Sequence, residues 1–344
     1  MHCNYTEGPF QKICNFFLLL FGFKKRNILF CIKKGFEPTD LYNLKFYFNM
    51  NARFLQIADL FYKVPASLKL TNNYMPFVTM IQDENQVISS TVKIGRIITN
   101  EKRLCHQGLV LDDTKKLSIY QTYGTENGYY ITLKASGSEI SYECYATEKW
   151  DKVTISENCL SPDCPPSIID IFMMLVFIYS AAHYNTILLH ASCIKYHEDG
   201  VAFIGQSGAG KSTHSRLWLK YIPDTKLLND DQPAVRIKED GKVSIYGTPW
   251  SGKTTCYLFD DAHLKGIIRM KQAPENKITQ LNPISLFAEL LSSCSMMKED
   301  PRTFKLITAT LSKLAANVPG YILENRPEEE AVKMVYNQIN KNNN

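Results

Sequence analysis

At 344 residues the chain is more than twice a working length of about 150 residues per domain, which excludes a single small module. With 45% hydrophobic and 21% charged residues it lies near the globular average, so a disordered tail, a collagen and a coiled coil are excluded too. Ten cysteines are too few for a disulfide scaffold and show no metal-ligand spacing, and residues 1–49 carry +4 of the net charge of +5, so the remainder needs no basic face for nucleic acid.

Residues 1–49 are unusual in composition, with nine of the eighteen phenylalanines and three of the ten cysteines. The apolar run Phe16 to Phe23, followed by Lys24, Lys25 and Arg26, is far shorter than the ~20 residues that span a bilayer. It lacks the basic n-region and small-residue cleavage site of a signal peptide. Two readings stand: a nonessential extension upstream of a start at Met50, or a membrane-surface anchor.

From about Arg53 to Glu157, apolar and polar residues alternate in short runs such as Phe77–Ile81, Val92–Ile94 and Tyr129–Leu133. Turn clusters at Gln82–Asn85 and Asn127–Gly128 punctuate them. This pattern predicts a small antiparallel β-rich domain over residues 50–160, with no chemistry of its own. Ser161 to Ser167, with three prolines, reads as a linker. Ile168 to Ala182 is almost wholly apolar, but at about fifteen residues with an acid near its start it reads as a buried helix and not a membrane span.

Ile187–Leu189 and Val201–Ile204 read as neighbouring core strands, joined by a hairpin that contains Asp199-Gly200. Directly after Ile204 comes Gly205-Gln206-Ser207-Gly208-Ala209-Gly210-Lys211-Ser212, which fits G-x-x-x-x-G-K-[ST] in full. Glycines let consecutive backbone N–H groups turn toward phosphate oxygens, Lys211 can neutralise the β/γ-phosphates, and the Ser212 hydroxyl can ligate magnesium. The strand before the loop and a helix from Ser212 to Tyr221 behind it give the motif its proper setting.

Asp230 and Asp231 follow Lys211 by nineteen and twenty residues, after the apolar pair Leu227-Leu228. So placed, they can hold magnesium and act as a base, against the plainer reading of an acidic turn before Pro233. Next, Ala234–Ile237 and Val243–Tyr246 flank a turn and predict an antiparallel hairpin, hence a mixed sheet. Trp250, Lys253 and Arg269 are secondary candidates: Trp250 covers either phosphates or core, Lys253 lies near the acceptor or is solvated, and Arg269 clamps a phosphate or sits in an ion pair. Helices are expected from Pro283 through Leu291 and from Pro327, the latter with Glu328, Glu329 and Glu330 in its first turn.

Four segments taken together, Leu188–Ser192, Gly205–Thr213, Leu227–Asp231 and Tyr246–Lys253, resemble the HPr serine kinase/phosphorylase-like proteins, which share a P-loop fold with phosphoenolpyruvate carboxykinase. The resemblance covers about residues 165–340. It implies an α/β (α+β) fold, a mixed-sheet P-loop kinase domain over 161–344 preceded by the β-rich domain. It also implies ATP and Mg2+ as cofactors, with Gly205, Ser207, Gly208, Ala209, Gly210, Lys211, Ser212 and Thr213 around the nucleotide and Ser212 and Asp231 on the metal. Asp230 would take the proton of an attacking hydroxyl and His190 would sit beside the transferred phosphate, unless it is a satisfied core histidine.

The second glycine-rich loop with which HPr kinases engage their protein substrate is not found, and the N-terminal sheet region is not recognisably theirs. The function expected is therefore an ATP-dependent kinase with a protein or peptide serine as acceptor; a catalytically silent nucleotide-binding regulator and a small-molecule or carboxykinase-like enzyme remain as alternatives. A cytoplasmic setting with reduced thiols, no nucleic-acid partner and no membrane span complete the expectation, with a homo-oligomer left open.

Overall fold

The structure is a computed structural model that describes residues 52–80, 86–98, 103–111, 117–125, 128–135, 139–252, 254–296 and 300–341. The readings of residues 1–49, Met50, the turn at Gln82–Asn85, Asn127 and Lys253 lie outside the described residues. Residues 54–344 form one compact unit.

The first half is a nine-stranded sheet built from β1 (Ala52–Ile57), β2 (Leu60–Pro65), β3 (Val78–Thr79), β4 (Ile88–Ile94), β5 (Arg103–Leu111), β6 (Leu117–Thr125), β7 (Gly128–Ala135), β8 (Ser141–Thr147) and β9 (Lys152–Ile155). Their order is β3-β1-β2-β4-β9-β8-β7-β6-β5. Strands β5 to β9 form the expected antiparallel meander, whereas β2–β4 and β4–β9 are parallel, so this sheet is mixed and not purely antiparallel. Of the run at Phe77–Ile81, Val78–Thr79 forms a strand, β3, while Phe77 closes a 3-10 helix and Ile81 lies outside the described residues. Pro76 has no amide hydrogen for a ladder, and Asn72–Phe77 is a 3-10 helix ending on the two-residue β3.

The chain then turns through Ser161–Cys164 into helix α1 (Pro166–Ala181). Pro166 occupies the first helical position, where its fixed φ suits the helix and its missing N–H costs nothing, so the prolines expected to form a linker in fact start the helix. Helix α1 is apolar on every side, the pattern of a helix enclosed by protein. Extended to Tyr184 it has the length and composition to cross a membrane, yet 72% of its most apolar window is buried in the fold.

The second sheet holds β10 (Thr186–Leu188), β11 (Ala191–Tyr196), β12 (Asp199–Ile204), β13 (Thr225–Asn229), β14 (Ala234–Ile237), β15 (Val243–Tyr246) and β16 (Asp261–Gln272), in the order β10-β14-β15-β16-β12-β11-β13. The end of β16 also pairs with β18 (Gly320–Asn325), which carries β17 (Lys277–Leu281) beside it. Helices α2 (Lys211–Tyr221), α3 (Pro283–Ser293), α4 (Pro301–Asn317) and α5 (Glu329–Asn340) complete the chain. The β14–β15 hairpin is antiparallel and β12–β16 parallel, giving the mixed sheet its hairpin predicts.

One pairing differs from expectation. The hairpin partner of β12 is β11, with Tyr196 opposite Asp199 and the turn at His197-Glu198, while the run at Ile187–Leu189 pairs through β10 with β14. His197 takes the left-handed conformation (φ 50°) that the turn requires, which frees Asp199 and Gly200 to lie within the strand.

The apolar run of β12 is continuous because both faces of this sheet are covered. Ala202 and Ile204 join the core shared with α1, α3, α4 and the first sheet; Val201 and Phe203 face the opposite way, with Trp218 of α2 and Val332 and Val335 of α5. The result is a mixed α/β architecture in which the loop after β12 emerges between two packed layers.

Candidate active site

The loop of residues 205–210 joins β12 to α2 and takes its shape from three glycines with positive φ: 151° at Gly205, 80° at Gly208 and 96° at Gly210. A methyl group on Gly205 would stand 2.7 Å from Nη1 of Arg269 and 3.1 Å from Cβ of Ala209, so this turn is packed from behind. Gly208 and Gly210 have open space where a side chain would point. Gly210 caps α2 in the left-handed region, leaving the first amides of the helix facing outward, the arrangement that binds phosphate. Gln272 at the end of β16 donates from Nε2 to Gly208 O at 2.9 Å and ties the loop to the sheet.

Lys211 is buried, with its ammonium folded back under the loop. It donates to Gly205 O at 2.8 Å and to Gln206 O at 3.3 Å, and lies 3.4 Å from Nε2 of His190. Burial lowers its pKa below the ordinary lysine value, the Asp231 carboxylate acts in the opposite direction, and Arg269 adds to the lowering. An ammonium held in carbonyl dipoles with little water around it is ready to take an anionic partner.

His190 sits between β10 and β11. Its N–H donates to Ser293 O at 2.7 Å, while the flanking amides of Leu189 and Ala191 bond Pro233 O and Asp231 O, each at 3.0 Å. The ring therefore projects where the loop and the aspartates meet. Nδ1 is 3.2 Å from Asp231 Oδ1 and Nε2 accepts from Lys211, so the proton belongs on Nδ1. One imidazole thus separates the Lys211 ammonium from the Asp231 carboxylate. His190 is half-exposed and not the enclosed core histidine of the plainer reading.

The aspartates leave β13 in a fixed posture. Asn229 is fully buried; its Oδ1 accepts from the amides of Asp231 (2.9 Å) and Gln232 (2.8 Å), while Nδ2 donates to Thr248 Oγ1 and Trp250 O, both at 3.1 Å. Asp230 accepts on Oδ1 from Ser192 (2.6 Å) and on Oδ2 from Thr254 (2.5 Å). Because the single Ser192 hydrogen is spent on Asp230, Ser215 must be the donor in the 2.6 Å Ser215–Ser192 contact. A hydroxyl chain therefore runs from one turn beyond Lys211 in α2 to the Asp230 carboxylate. Gly252 (φ 55°) lies against the other aspartate, where an added Cβ would meet Asp231 Cβ at 3.0 Å.

The structure thus brings Lys211, His190, Asp230 and Asp231 to the mouth of the glycine loop. Ser212 opens α2 half-buried, and Ser207 and Thr213 are exposed beside it. Trp250 takes the plainer of its two readings: it is buried, donates from Nε1 to Tyr74 Oη at 3.1 Å, and packs on Phe177. Arg269 likewise forms an ion pair, with Nε 2.7 Å from Glu289 Oε2 of α3. Sequence reasoning missed Ser192, Ser215, Asn229, Thr254 and Gln272. Only Asn229 carried a local signal, an Asx residue directly ahead of the two acids.

Among the described residues no three His, Cys, Asp or Glu side chains converge as a metal-binding group. The donors at the loop, two carboxylates and the Ser212 hydroxyl, instead suit a magnesium ion that takes its other ligands from phosphate and water.

No protein-family model matches the chain and no curated protein matches it. Among solved structures, the Hpr(Ser) kinase/phosphatase from Coxiella burnetii is similar at 13% identity with a TM-score of 0.28, over 45% of this chain and 90% of that one.

Proposed function

We propose that this protein is an ATP-dependent phosphotransferase that passes the γ-phosphate to a hydroxyl, with a serine of a protein or peptide as the acceptor. The observation that carries the proposal is the His190 ring held between the Lys211 ammonium and the Asp231 carboxylate at the mouth of a glycine loop. A loop that binds anions and nothing more has no need of two carboxylates at its mouth. Transfer of a phosphoryl group to a hydroxyl needs them, one toward a metal and one toward the proton.

In this reading Lys211 and the amides of residues 205–213 hold the β- and γ-phosphates, and His190 stands beside the phosphate that moves. Ser212 and Asp231 would hold magnesium, which when bound supplies charge neutralisation. Asp230 takes the proton from the attacking hydroxyl, and the donors Ser192 and Thr254 fix which lone pairs of its carboxylate remain free for that task. Positioning and charge neutralisation account for the remaining catalysis.

The full chain incubated with γ-labelled ATP, magnesium and a cell lysate should transfer label to a protein or peptide. Asp230→Asn should lower transfer by about a hundredfold or more, the scale of a lost general base, with nucleotide binding retained. Nucleotide binding without transfer to any lysate component by the unaltered chain would reject the kinase in favour of a silent nucleotide-binding regulator.

A further inference from the structure

Among the described residues four hydroxyl groups gather at Asp230, directly or through one another. Ser192 donates to Oδ1 at 2.6 Å and accepts from Ser215 in turn, the Asp230 amide donates to Ser251 Oγ at 3.2 Å, and Thr254 donates to Oδ2 at 2.5 Å. Three of the four are enclosed: Ser192 and Ser215 have no exposed surface and Ser251 has 2%. A phosphate group added to any of these three would have to displace packed protein. Thr254 is half-buried and retains exposed surface.

The segment that carries Thr254 is tied down on both sides of it. Gly252, two residues before, lies against Asp231. Cys256, two residues after, is buried and donates from Sγ to Leu227 O at 3.2 Å, on the strand β13 that delivers the aspartates. Thr254 is thus fixed with its hydroxyl hydrogen already on the carboxylate assigned above as the proton acceptor. An attacking hydroxyl needs that same contact with the base that takes its proton.

We propose that Thr254 is an internal phosphate acceptor, phosphorylated at the glycine loop of its own chain. This rests on the phosphotransferase reading and adds an acceptor within the chain to the one outside it. Thr254 Oγ1 bonds to the γ-phosphorus of ATP, the bond from that phosphorus to the β–γ bridging oxygen breaks, ADP leaves, and the hydroxyl proton passes to Asp230 Oδ2. The product is a phosphothreonine whose negative charge stands beside Asp230 and Asp231 and occupies the place of an outside hydroxyl.

The test incubates the full chain with γ-labelled ATP and magnesium, with and without a cell lysate, and locates phosphate on the chain by peptide mass spectrometry. The expected result without lysate is phosphate on Thr254, formed at a rate per chain that does not change on dilution. Thr254→Val and Asp230→Asn should each lose it, and Thr254→Ser should retain it. Label on lysate proteins with none on Thr254 would overturn the internal acceptor and leave the kinase reading standing; label on neither would reject that reading and this one with it. Phosphate on the exposed Thr255 or Thr213 in place of Thr254, or a rate per chain that falls on dilution, would also overturn the proposal.

Discussion

Single residues decide two matters here, one about the site and one about stability. His214, on α2 two residues beyond Ser212, is 1% exposed, edge-on to Phe203 at 4.9 Å, and finds no hydrogen-bond partner for either ring nitrogen. Burial lowers its pKa from 6.5 to about 4. The folded chain therefore favours the neutral ring, and the stability this contributes is complete above the unfolded value of 6.5 and lost as pH falls through 4. The size is about 3 kcal/mol over that interval. Chemical denaturation at a series of pH values should show the loss, and His214→Phe should flatten it; an unchanged slope in the variant would assign the acid sensitivity elsewhere. At the same scale, the residues legible beforehand were those whose task is set by near neighbours. Lys211 and the glycines declare themselves because a phosphate loop is built from consecutive residues. Ser192 and Thr254 reach Asp230 from 38 and 24 positions away, and nothing local marks a serine or threonine for that role.

Among the elements, the glycine loop separates two kinds of constraint. Gly210 has open space around it, so Gly210→Ala pays only for an L-residue in the left-handed region, about 1–2 kcal/mol. Gly205→Ala meets Arg269 and Ala209 as well and should lower the melting temperature further; scanning fluorimetry of both variants gives the ranking, and a smaller drop for Gly205→Ala would contradict the packing described. Strand pairing was less legible than strand existence. Apolar runs announced β12 and the β14–β15 hairpin, but which strand lies beside β12 depends on whether the turn falls at His197-Glu198 or at Asp199-Gly200. Composition favours the second and the fold uses the first. Helix α4 went unnoticed although Asp300 caps it by accepting from the Thr303 amide and Pro301 follows as its first residue, a start signal that a closer reading would have caught.

For the whole molecule, the apolar core that begins at Leu55 continues through α1 to Val318, joining the first sheet to the second. Trp150 packs on Tyr179 of α1 at 4.7 Å, while Trp250 packs on Phe177 of the same helix at 5.4 Å. Residues 54–344 should accordingly unfold in one transition. Variants keeping only Trp150 or only Trp218, two of the three tryptophans, should report the same denaturation midpoint, and separated midpoints would show two independent folding units. The sequence division near residue 160 follows a real change in pattern, from period-two alternation to a continuous apolar helix. What pattern alone does not reveal is that this helix serves both halves.

The 3-10 helix Asn72–Phe77 ties the β-rich half to the candidate site. Asn73 donates to Pro249 O at 2.8 Å and Tyr74 anchors the Trp250 indole, so the backing that presses Gly252 against Asp231 is hung from the opposite half of the chain. The glycine loop is held from within its own half of the chain, by Arg269 behind Gly205 and by Gln272 on Gly208 O. The posture of the aspartates depends on the other half as well, because part of the scaffold that aims them begins at Asn73, 176 residues upstream of Pro249. Changes at Asn73 or Tyr74 in the β-rich half would therefore reach the aspartates, through Pro249 to Gly252, before they reached the glycine loop.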